Sequence, residues 1–200
     1  MLDEVAIAQA LEKAVSELGL ATCSSTSAAG EVSPLATLRW GRVFADLDAA
    51  GCDHGYATAI ELIYEGYLFH YRESRVAAAG ATQEAALLAG DCLYARGLRL
   101  IAERGDAEAV GLLARLMGAC SYLRSVSAPF ADDDALWAYC MAGLAALRRG
   151  AAAADAASLF EEVDAAISGG AAVDLQALAQ SATRRLGLDC TVVPPARLGG

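Results

Sequence analysis

Apolar residues return at three- and four-residue spacing in one segment after another of this 200-residue chain, and that periodicity confines it to helices. Val5, Ile7, Leu11, Val15 and Leu18 trace a first helix, which Gly19 closes as a C-cap. Residues 23–29 are small and polar and read as a loop. Ser33 and Pro34 supply an N-cap and a first-position proline for a second helix, carried by Leu35, Leu38, Trp40, Val43, Phe44 and Leu47 to a stop at Gly51. Asp53 caps a third helix through about Ser74, with Ile60, Ile63, Tyr64, Tyr67 and Leu68 on one broad apolar face. Thr82 opens a fourth, whose candidate core residues are Leu87, Leu88, Leu93, Leu98 and Ile101. Gly105 and Asp106 start a fifth with Val110, Leu113, Leu116, Met117, Cys120 and Leu123. Pro129 interrupts, and Asp132 to Asp134 open a sixth with Leu136, Trp137, Cys140, Leu144 and Leu147. Residues 155–167 and 173–186 complete about eight helices whose short connections describe an antiparallel bundle.

Composition agrees with an all-α chain. Hydrophobic residues make up 56% and aromatic residues only 6%, with Ala and Leu dominant, a mixture that favours helix over sheet. No proline-rich or charge-block linker divides the sequence, so residues 1–200 read as one domain around one core. A net charge of −10 argues against nucleic acid or an anionic membrane surface as a partner, since both present phosphates that need Lys and Arg. The six cysteines, Cys23, Cys52, Cys92, Cys120, Cys140 and Cys190, lack zinc-ligand spacing. They read as small apolar core residues in a reducing compartment. The acidic start, Met1 to Glu4, has no basic n-region, and no segment reaches the ~20 apolar residues that cross a bilayer. A cytoplasmic protein without membrane insertion is expected.

The stretch Ala59-Ile60-Glu61-Leu62-Ile63, followed by Leu68-Phe69-His70 and then Leu87-Leu88-Ala89-Gly90-Asp91, resembles the core helices of trans-polyprenyl diphosphate synthases. The resemblance implies an isoprenoid-synthase-like bundle, truncated at its C-terminal side. In catalytic members the aspartates directly after that histidine bind magnesium. The matching positions here are Tyr71, Arg72 and Arg75, and a phenol with two guanidiniums cannot supply the anionic oxygens that Mg²⁺ takes. The family's basic diphosphate clamp aligns with residues 28–34, anchored by Pro34, where Gly30 and Ser33 replace the basic residues around an acidic Glu31. The segment from Arg75 to Thr82 is shorter than the family's loop. Gly118 to Leu123 resembles a further family motif with its Glu and Gln replaced by Ala119 and Tyr122, and Met141-Ala142 stands where a Lys-Thr pair is expected. Leu186-Gly187-Leu188 resembles the lead into the second aspartate motif, whose carboxylates would fall near Pro194 and Pro195.

Other residues keep two readings each. Tyr67 lies where catalytic members place an aromatic that caps the growing prenyl chain, and it also reads as core packing. Asp91, with Gly90, matches the family's GD pair and equally suits a structural role. His70, Tyr71, Arg72 and Arg75 form either a metal-free anion pocket or a solvated helix end whose arginines face water. Asp132 to Asp134 cannot all share a helix face, which favours an acidic first turn over a metal site. His54 receives no role. The resemblance thus implies no catalytic residue, no metal and no cofactor of the chain's own, with Mg²⁺ bound only by a partner. It points to a non-catalytic subunit of a heteromeric prenyl diphosphate synthase, whose partner is the catalytic subunit or a second copy. The interface would lie around the third and fourth helices. The alternative is a stand-alone or homodimeric protein that holds a prenyl or other apolar ligand in the vacated cavity.

Overall fold

The computed structural model describes residues 2–23, 38–48, 51, 53–150, 160–165, 168–169, 177 and 184. Named helices among them are α1 (Glu4–Glu17), α2 (Trp40–Leu47), α3 (His54–Tyr71), α4 (Gln83–Ala102), α5 (Ala107–Ser125) and α6 (Phe130–Arg148). Residues 160–165 are also helical. The described residues are all-α, and their β-type pairing is one isolated antiparallel bridge, Thr22 to Ala77. No described helix is long and apolar enough to cross a membrane.

Caps set most boundaries where side-chain chemistry requires them. Asp3, Asp53, Thr82 and Asp106 each accept a hydrogen bond from a first-turn N–H, at Ala6, Gly55, Ala85 and Ala109 respectively. Gly19 and Gly105 take positive φ of 77° and 76° just past α1 and α4, where a side chain would strain the backbone. Other boundaries depart from expectation: α6 begins at Phe130, ahead of Asp132 to Asp134, and α2 ends at Leu47, short of Gly51. Leu38 and Arg39 are not helical, and α2 begins only at Trp40. The Glu61 carboxylate takes the N–H groups of Arg39 and Gly41 and fixes the start there. Ser33 and Pro34 lie outside the described residues. α3 stops at Tyr71 rather than Ser74, because Ser74 and Arg75 turn back to bond Glu65.

The chain divides into two compact units, Met1–Arg42 with Asp53–Gly105, and Val43–Cys52 with Asp106–Gly200. No linker composition marks that division, which is why the sequence reads as a single domain. In the first unit α3 packs against α1 and α4. Its face is not one broad stripe: every residue from Ala59 to Phe69 is buried, so the helix is enclosed on all sides. Ile7, Leu11 and Val15 of α1, Leu62 and Phe69 of α3 and Leu93 of α4 share one apolar cluster. In α1, Val5 and Leu18 instead face outward.

Small residues bring α3 and α4 unusually close. A Cβ on Gly97 would stand 2.7 Å from the Ala59 carbonyl oxygen and 2.5 Å from Ile63 Cγ1. A Cβ on Gly66 would stand 2.8 Å from the Gly90 carbonyl oxygen. Since Ala59 meets Gly97 and Gly66 meets Gly90, the helices run antiparallel. Leu87 and Leu88, expected in the core, are 40% and 66% exposed, because the glycine seam turns that part of α4 outward. In the second unit α5 packs against α6, and α6 is buried from Asp133 to Ala146. Tyr139 meets Phe160 edge to face at 5.2 Å.

Candidate functional site

Glu61 and Glu65 are separated by one helical turn on α3 and are both completely buried. A carboxylate removed from water is tolerated only with an opposite charge and a full set of donors. Both conditions are met, by the chain that follows the helix and by backbone N–H groups ahead of it. Glu61 Oε2 accepts from Arg75 Nη1 at 2.7 Å, and Glu65 Oε2 accepts from Arg75 Nε at 2.8 Å. Glu65 Oε1 accepts from the Ser74 hydroxyl at 2.6 Å and the Arg75 N–H at 2.9 Å. Glu61 Oε1 accepts from the N–H groups of Arg39 and Gly41, each at 2.7 Å. All four carboxylate oxygens are therefore engaged. Burial opposes the Arg75 charge, but the two carboxylates outweigh it and raise the guanidinium pKa above its ordinary value.

Aromatic rings surround this cluster. The Arg75 guanidinium lies 4.8 Å from the Tyr64 ring centre, and Arg39 lies 5.0 Å from that of Trp40. Arg39 also donates to the Tyr64 hydroxyl at 2.9 Å. Tyr64 stacks on Tyr67 at 5.8 Å, and Tyr67 meets Tyr71 at 5.4 Å. Tyr67 is buried, in keeping with a packing role. His70, in the last turn of α3, stacks on Tyr94 at 5.2 Å with its Nε2 3.1 Å from Asp91 Oδ1. Its ring covers Gly90, where a Cβ would come within 2.5 Å.

Of the four residues grouped as an anion pocket, His70 and Tyr71 bring their rings within 5.6 Å of each other, and Arg75 turns to the glutamates. Arg75 commits Nε, Nη1 and its backbone N–H to the two glutamates. His70 faces the carboxylate of Asp91, itself exposed, and half-buried Arg72 ends α3 in extended geometry. Among the described residues no group of three or more His, Cys, Asp or Glu is arranged to hold a metal ion. Glu61 and Glu65 were not singled out by the sequence reading. Two acids inside an otherwise apolar, aromatic-rich helix were the available signal, since a buried acid requires a counter-charge. His54, left without a role, accepts the Asp3 N–H at its Nδ1 at 3.3 Å.

In the second unit, Asp132 and Asp133 stand in the first turn of α6, as the acidic-turn reading expects, and Asp133 is also paired. It is fully buried and lies 2.6 Å from Arg124 Nη2. The same guanidinium reaches the carbonyls of Ala128 and Pro129 and sits 4.1 Å from the Phe130 ring centre. Ala119, Met141 and Ala142 are buried, whereas Tyr122 is exposed. Cys120 and Cys140 fit the core reading, and Cys92 does not, being exposed. Burial raises both buried thiols' pKa values, and for Cys120 the Asp133 charge adds to it. Gly30, Glu31, Ser33, Pro34, Cys52, residues 186–188, Cys190, Pro194 and Pro195 lie outside the described residues.

Searches against protein-family models, curated proteins and solved structures found no match.

Proposed function

We propose that this chain is a non-catalytic subunit of a heteromeric prenyl diphosphate synthase, contributing to isoprenoid biosynthesis through assembly with a catalytic partner. The observation that carries this reading is the direction of Arg75. At a position that the resemblance equates with a magnesium ligand, the side chain turns inward and neutralises Glu61 and Glu65. A charge committed to two buried acids stabilises the helical scaffold and is not offered to a diphosphate. Magnesium and substrate are bound, in this reading, by the catalytic subunit. The outward-facing Leu87 and Leu88 on α4 lie in the region where the resemblance implies an interface.

The test is purification of the full chain from its native host, with identification of bound proteins and assay of prenyl transfer. A full-length synthase should accompany the chain, and transfer with Mg²⁺ should require both. Prenyl transfer by the purified chain alone overturns the proposal. Isolation only as a homodimer, with no synthase attached, favours instead a binding protein for an apolar ligand. The stacked, buried rings of Tyr64 and Tyr67 weigh against that second reading.

A further inference from the structure

Residues 72–78 leave the end of α3 and return along it as a strap tied at two places. Toward α3, Arg75 and Ser74 bond Glu61 and Glu65, and Val76 is buried in the first unit's apolar cluster. Toward the segment after α1, the Cys23 N–H donates to the Val76 carbonyl and the Ala78 N–H to the Ala21 carbonyl, both at 2.8 Å. Glu61 then does two things at once. One oxygen holds Arg75, and the other holds the N–H groups of Arg39 and Gly41 at the start of α2.

We propose that the strap is a clasp coupled, through the single carboxylate of Glu61, to the anchoring of α2's first turn. With Arg75 docked, both buried acids are neutralised in place. When the strap lifts, Glu61 loses its counter-ion in an apolar interior and is drawn toward water. That movement weakens its bonds to the N–H groups at the start of α2. The converse holds by reciprocity: an α2 start that fixes the Glu61 rotamer prepares the site for Arg75. The first N–H groups of a helix have no partner within it, so the protection of Gly41 reports directly on Glu61.

Amide hydrogen exchange on the full-length Arg75→Ala chain tests the coupling. Exchange at Cys23 and Ala78 should rise, and so should exchange at Arg39 and Gly41, on the order of a hundredfold. The amides of Leu113 and Leu116 in α5 should keep their protection. Millimolar guanidinium should restore protection at all four responding amides, while the same concentration of sodium chloride should not. If Arg39 and Gly41 keep wild-type protection while Cys23 and Ala78 lose theirs, strap and helix are independent and the proposal fails. Failure of guanidinium to act differently from sodium overturns it as well. Should Arg75→Ala not fold, Arg75→Lys keeps a cation unable to reach both acids in the same geometry. Both pairs of amides should then accelerate together to a smaller extent, and acceleration of the strap pair alone refutes the coupling.

Discussion

α3 and α6 are each buried along most of their length, and each buries two acidic residues. They handle those acids differently. Asp133 lies in the first turn of α6, where unpaired N–H groups favour negative charge, and its arginine comes from the end of the preceding helix. Glu61 and Glu65 lie in the middle of α3, where the helix's own N–H groups are occupied by its carbonyls. Their donors must be imported, from the strap that follows and from the start of α2. Glu61 thus ties the strap after α3 to the start of α2, whereas Asp133 pairs with the end of the helix just before its own.

The sharpest way to break that contrast is to remove one acid from each helix. Glu61→Ala should lower unfolding stability by about 3–5 kcal/mol in urea titration, because Arg75 loses a buried partner and two α2 N–H groups lose their acceptor. Asp133→Ala should cost less, about 1–3 kcal/mol, because Arg124 keeps the Ala128 and Pro129 carbonyls and the Phe130 ring. Equal losses would mean that position along the helix does not matter. A second pair of substitutions compares the helices packed beside them. Gly97→Ala in α4 should destabilise by about 1–3 kcal/mol through overpacking against Ala59 and Ile63. Gly118→Ala in α5, with nothing within 4 Å of the added Cβ, should stabilise by up to about 1 kcal/mol in the same measurement.

The smallest effect concerns thiol chemistry. Native Cys120 and Cys140 are held as protonated thiols, because burial raises their pKa values, whereas Cys92 on α4 is exposed. Brief alkylation at pH 8, with sites located by peptide mapping, should modify Cys92 and leave Cys120 and Cys140 intact until the chain is unfolded. Comparable labelling of Cys120 in the native state would show that the second unit opens as readily as the surface of α4.

The helical class and most boundaries were legible because they depend on local chemistry. Asp53, Thr82 and Asp106 cap where their side chains reach the following N–H groups, and glycines close α1 and α4. What periodicity did not disclose depends on contacts between distant segments. The apolar stripe on α3 concealed a helix buried all round, and Leu87 and Leu88 were assigned to a core that the glycine seam turns them away from. Within the candidate site, Tyr71, Arg72 and Arg75 are legible as a phenol and two guanidiniums near the end of α3. They do not disclose that Arg75 folds back onto Glu61 and Glu65, a pairing across 14 and 10 residues that no helical spacing predicts.

The near-contact of backbones along Gly66, Gly90 and Gly97 has a mechanical consequence. Long side chains between helices can change rotamer and let one helix slide over the other, but carbonyls packed against glycines have no such lubricant. α3 and α4 therefore move as one stiff beam. Any adjustment of the first unit must be taken up by its lighter attachments, the strap and the start of α2.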